Sequence, residues 1–159
     1  MTTSRRTASR VALVVAAVLA LALSACSGSG SSRVEADGLI VDHAWARASA
    51  PSSSAGAAYV TIRNTTGRVE KLLSVSVPSS VARVAEMHET VSNGSSMMSM
   101  REVQSVTIPA GSTLSMEPGG YHVMVLDLAG PLVAGQEFTL NLGFMNAGVV
   151  SVPVRIRAS

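Results

Sequence analysis

The sequence predicts an all-β domain, a Greek-key sandwich or barrel of about eight or nine short strands, behind a signal peptide and a tether. Three observations carry that expectation. Apolar and polar residues alternate in several short runs, turn-forming clusters separate those runs, and no long segment has helical periodicity. Period two with one apolar face means strands packed on a single core, and short strands at this spacing suit a Greek key.

The elements follow in chain order. Arg5, Arg6 and Arg10 precede an unbroken apolar run of thirteen residues, 11–23. That is the length of a signal-peptide core and short of the ~20 residues of a membrane-spanning helix. The string Leu23-Ser24-Ala25-Cys26 has the form of a bacterial lipobox, and Cys26 is the single cysteine. It is expected to carry the lipid that anchors the mature chain. Residues 27–32, Ser-Gly-Ser-Gly-Ser-Ser, read as flexible tether. The expected limits are 1–25 for the signal peptide, 26–38 for the lipid-anchored tether and 39–159 for the folded domain.

Within the domain, Ala58, Val60 and Ile62 alternate with Tyr59, Thr61 and Arg63. Phe138, Leu140, Leu142 and Phe144 repeat the pattern, as do Val150, Val152, Val154 and Ile156. Pro153 predicts an edge position for the last strand, because proline donates nothing to a ladder. Turns are expected at Asn64-Thr65-Thr66-Gly67, Asn93-Gly94, Pro109-Ala110-Gly111, Pro118-Gly119-Gly120 and Asn146-Ala147-Gly148. About 120 residues suffice for such a core without disulfides.

Charge excludes one class of partner. All of the acidic residues and nine of the twelve basic ones follow the signal, so the mature chain has a net charge of −1. No basic run or interleaving of basic and aromatic residues is left, which argues against nucleic acid.

With Cys26 acylated the domain has no thiol, hence neither a disulfide nor a thiolate metal site. It is instead rich in thioethers. Met87-His88 ends one run, Met97-Met98-Ser99-Met100 opens the next, and His122-Val123-Met124 follows the Gly119-Gly120 turn. Residues two apart on a strand share a face, so His122 projects with Met124 and Met98 with Met100. Val123 and Val125 then face the core, and His88 points away from Met87. Thioether and imidazole suit copper(I), whereas zinc wants thiolate, further imidazole or carboxylate. Each residue also has an ordinary reading. Met87, Met116 and Met145 fit as core filler, Met97 as loop, His43 as a surface or structural histidine, and His122 as a turn residue. Spacing by itself leaves a soft-metal site and an apolar methionine patch both standing.

The run from about residue 39 to 156 resembles the PCu(A)C-type periplasmic copper chaperones. Ala44-Trp45-Ala46-Arg47, Ala57-Ala58-Tyr59 and Ile62-Arg63-Asn64 are similar to that family's opening strands. Met100-Arg101-Glu102-Val103, Ile108-Pro109-Ala110-Gly111 and Pro118-Gly119-Gly120-Tyr121-His122-Val123-Met124 are similar to its metal-binding half. The resemblance implies a cupredoxin-like β-sandwich and one copper(I) ion at a shallow site. It also implies delivery to the dinuclear copper centre of a terminal cytochrome oxidase, with a thiol copper chaperone as a possible second partner. The implied ligands are His88, Met100, His122 and Met124. The family spaces its first histidine and methionine by ten residues and that methionine and His-x-Met by twenty-one. Met100 to His122 keeps twenty-one, while His88 to Met100 has eleven, an insertion in the intervening hairpin. Met98 is therefore a reserve ligand.

Catalysis is not expected. Two histidines are few for a copper that cycles to copper(II), and no Ser-His-Asp set or acid pair stands out. Copper storage or protection, or a sandwich that only binds protein partners, are the alternatives to delivery.

Overall fold

The computed structural model describes residues 33–92 and 98–158. The signal sequence, Cys26, the Ser-Gly stretch and Met97 lie outside the described residues. Among the described residues every regular element is a strand: β1 (Val34–Ala36), β2 (Leu39–Arg47), β3 (Ala55–Asn64), β4 (Glu70–Ser76), β5 (Ala82–Ser92), β6 (Met98–Glu102), β7 (Val106–Ile108), β8 (Thr113–Ser115), β9 (Tyr121–Leu128), β10 (Glu137–Phe144) and β11 (Gly148–Arg157). The strands pair in the order β6-β5-β9-β3-β2-β11-β10-β4-β7, with β1 added to β2 and β8 to β3. All neighbours are antiparallel except β2 and β11, whose parallel pairing runs from Trp45↔Arg155 to Arg47↔Arg157.

The alternating runs place the core as expected. Val60, Ile62, Val123, Val125, Leu140, Leu142, Val152 and Val154 are all buried, as are Met87 and Met116. Each such aliphatic side chain contributes roughly 1.5–3 kcal/mol on leaving water.

Four details differ from the sequence expectation. Eleven strands are present among the described residues rather than eight or nine, because β1, β7 and β8 have three residues each and show no usable period. Strand pairing also begins before residue 39. Asp37 and Gly38 take φ of 46° and 76°, a two-residue turn of the mirror-image type, and they fold β1 back on β2 with Ala36 opposite Leu39. Met145 is half exposed, not core, since it stands in the turn after β10 and its backbone N–H bonds to Lys71 on β4. Finally, β11 lies between β10 and β2 rather than at an edge. Pro153 pairs with Thr139 on β10, and the pairing with β2 starts only at Arg155, so the proline costs that ladder nothing.

A bulge interrupts β2. Leu39 and Val41 are buried before it and Ala44 and Ala46 after it, so the inward parity switches. The register shift lies between Asp42 and Trp45, and His43 inside it takes φ 52°. His43 is exposed, with Nδ1 2.6 Å from the Asp42 carboxylate. The switch turns Trp45 onto the outer face of the sheet.

Candidate metal centre

The pairing β6-β5-β9 gathers the candidate residues on one face. His88 stands directly opposite His122 on β9 and opposite Glu102 on β6. One step along β5, Met124 is opposite Glu86. One step the other way, Met100 is opposite Thr90, and Met98 is a further step off, opposite Ser92. The core residues Met87 and Val123 form the rung between, pointing inward. The histidine row continues across the sheet in aromatic rings. Tyr59 is the next rung after Ala58↔Val123 and lies 6.5 Å from the His122 ring, and Trp45 stacks on Tyr59 at 4.5 Å. Arg157 covers the Trp45 ring at 5.3 Å.

The two imidazoles are close, with ring centroids 5.9 Å apart and planes inclined by 46°. An ion about 2 Å from one nitrogen of each ring would hold the ring centres roughly 6 Å apart when the rings flank it. The spacing fits a shared ion. Hydrogen bonding sets which nitrogens are free. His122 Nδ1–H donates to the Gly120 carbonyl at 3.0 Å, leaving the Nε2 lone pair. His88 Nε2–H donates to the Glu86 carboxylate at 3.0 Å, leaving Nδ1, which is buried and has no hydrogen-bond partner. A buried polar atom without a partner carries its full desolvation cost, and metal-binding groups are among the places where that cost is tolerated.

Exposure grades across the site. His122 is 4 % exposed, Met124 is half-buried, and Met98 and Met100 on the edge strand are 61 % and 62 % exposed. Met100 and Met124 flank the imidazole row on opposite sides, with Cα atoms roughly 16 Å apart by strand rise and spacing in a flat sheet. Three donors are thus grouped on β5 and β9, and the hairpin donor stands apart on β6. Among the described residues no three His, Cys, Asp or Glu side chains are placed so that they could hold a metal ion together, so a cage of hard ligands is not the arrangement found.

The opposite face at the same end fixes the register. Arg101 on β6, Glu89 on β5 and Tyr121 on β9 are successive rung partners. Arg101 donates to Glu89 at 2.8 Å and 3.3 Å. Burial pushes the Tyr121 phenol above its ordinary value, the charge of Glu89 and a hydrogen bond to it add to this, and Arg101 offsets part. A one-residue slip of β6 would swap Arg101 and Met100 between faces, so this ladder also holds the methionines on the histidine side. Sequence reasoning did not single out Glu86, Glu89 or Glu102. Period two did carry a signal for Glu86, two residues before His88 and so on its face.

Solved structures are similar to this domain in fold. The apo PCuAC domain from PmoF1 superposes with a TM-score of 0.68 at 28% identity, over 80% of this chain and 99% of that one. The copper-bound PCuAC domain from PmoF2 superposes with a TM-score of 0.67 at 21% identity, over 80% and 98%. The solution structure of the copper(I) form of DR1885 from Deinococcus radiodurans gives a TM-score of 0.59 at 26% identity, over 82% and 83%. The fold is therefore a PCuAC-type, cupredoxin-like β-sandwich. The LpqE-like lipoprotein family model matches residues 39–156, and a lipoprotein of Leifsonia xyli subsp. xyli, Lxx21020, is 34% identical over 91% of this chain and 88% of its own length. The chain belongs to the LpqE-like family.

Proposed function

We propose that this protein is an extracytoplasmic copper(I) carrier, anchored to the cell membrane through lipidated Cys26, that binds one ion and catalyses nothing. The ligands are His88, His122, Met124 and Met100, with Met98 in reserve. The observation that carries the reading is the buried, unpartnered Nδ1 of His88 beside His122, on a face that bears thioethers on both flanks. Copper is the cargo, and a donor set of thioether and neutral imidazole favours its soft monovalent form. Copper binding by the PmoF2 and DR1885 structures supports the same cargo here. Met100 closes the site from β6, the end of the strand order among the described residues, on the face that bears the imidazoles. Its exposure favours hand-over rather than sequestration. The acceptor to test first is the dinuclear copper centre of a terminal cytochrome oxidase, with a thiol copper chaperone as a second partner.

A titration of the purified protein with copper(I) against competing chelators tests the cargo. One equivalent should bind, silver(I) should compete as a soft mimic, and zinc should be held far more weakly. Tighter binding of zinc than of copper(I) overturns the reading. Mixing the loaded protein with the apo oxidase subunit tests delivery, and retention of copper by the carrier would point to storage.

A further inference from the structure

We infer that Glu86 is a positioning residue that selects which nitrogen of His88 takes the ion. The inference rests on the reading of His88 as a ligand and goes beyond it. Glu86 and His88 share a face of β5, and the carboxylate lies 3.0 Å from Nε2. A carboxylate accepts and cannot donate, so it holds the proton on Nε2 and leaves the lone pair on Nδ1. Nδ1 is the atom that is buried without a partner. Across the rung, the Gly120 carbonyl does the reverse to His122: it holds the proton on Nδ1 and frees Nε2. The two rings therefore meet the ion through unlike nitrogens, Nδ1 of His88 and Nε2 of His122. An Nδ1 ligand brings the ion close to the strand that bears it, while Nε2 of the neighbouring ring reaches outward to it.

Glu86 does a second thing by the same contact. Its hydrogen bond to the far side of the ring also fixes the ring's orientation. The Glu86 side chain keeps 32% of its surface and the His88 side chain 17%, so the pair sits at the margin of the core, where replacing Glu86 leaves the fold intact.

Long-range proton–nitrogen correlation spectra of the nitrogen-labelled protein test this without reference to transport. In the metal-free protein His88 should show a protonated Nε2 and a bare Nδ1, and His122 the opposite. Copper(I) should then shift Nδ1 of His88 and Nε2 of His122. Glu86→Ala should mix the His88 tautomers and weaken copper(I) about ten- to a hundred-fold, the usual range for such an outer partner. Glu86→Gln, whose amide oxygen still accepts from Nε2–H, should restore the wild-type tautomer and most of the affinity. A protonated Nδ1 on metal-free His88, an unchanged tautomer in Glu86→Ala, or a copper-induced shift at His88 Nε2 each overturns the assignment. If Glu86→Ala changes the tautomer but copper(I) shifts neither ring, Glu86 stands as the residue that sets the tautomer and the copper site itself is overturned.

Discussion

At the scale of single residues, the methionines divide by position, and the division makes a mutational series informative. Met100 stands one step from the His88 rung and Met98 two, both on the same exposed face. Met116 is buried in the core. Replacement by leucine keeps the apolar volume and removes the sulfur, at a cost to stability usually under about 1.5 kcal/mol. Met100→Leu is expected to weaken copper(I) by roughly tenfold or more, about 1.4 kcal/mol. Met98→Leu should weaken it clearly less, and Met116→Leu should leave affinity unchanged. Chelator competition reads all three, and a larger loss in Met98→Leu would move the hairpin ligand to Met98. The His122-Met124 pair was legible because two residues on one strand must share a face. The bonds to the imidazole nitrogens were not: the Gly120 carbonyl leaves no periodic trace, and period two puts Glu86 on the face of His88 without showing that it bonds to the ring.

At the scale of elements, the longer strands announced themselves by alternation and the shorter ones did not. A three-residue strand shows one and a half periods, which is why β7 and β8 were missed. For β1 the Asp37-Gly38 dipeptide was a hairpin signal of known type, hidden by the adjoining Ser-Gly run that reads as tether. Glu70 was also silent in the sequence. It heads β4, is 3 % exposed, and ties that strand to the β10–β11 turn. Burial works against its charge, yet hydrogen bonds from the backbone N–H groups of Lys71, Asn146 and Ala147 and from the Asn146 amide outweigh it and hold the carboxyl below its ordinary value. A depressed folded value means that Glu70 stabilises above the pKa of the unfolded chain and that this contribution fades as pH falls through the folded value. Glu70→Gln faces several donors with one amide oxygen and should cost about 1–3 kcal/mol at neutral pH. Urea unfolding at pH 7 and at low pH checks both parts: the gap between wild type and variant should close on acidification. A gap that stays constant would assign the cost to packing and not to charge.

At the scale of the whole molecule, the fold puts the proposed site near one end of a continuous path of strands. The imidazoles stand on interior strands β5 and β9, and among the described residues only β6 lies outside them. The proposed ligands lie on β5, β6 and β9, far along the chain from the proposed lipid on Cys26. Cys26→Ser should therefore release the protein from membranes while copper(I) affinity stays within about twofold, since stable attachment comes from the acyl chains. Fractionation of cells expressing the variant reads the first part, and equal membrane retention would sink the anchor assignment. The graded exposure across the site has a kinetic consequence. An ion held by the proposed set, His88 and His122 on interior strands and a thioether on exposed β6, would have one open flank. An incoming ligand would attack there before the inner bonds break, making exchange associative. Transfer should then speed up in proportion to acceptor concentration, while spontaneous loss to solvent stays slow. On that route the ion would pass from protein to protein by collision without being set free between them.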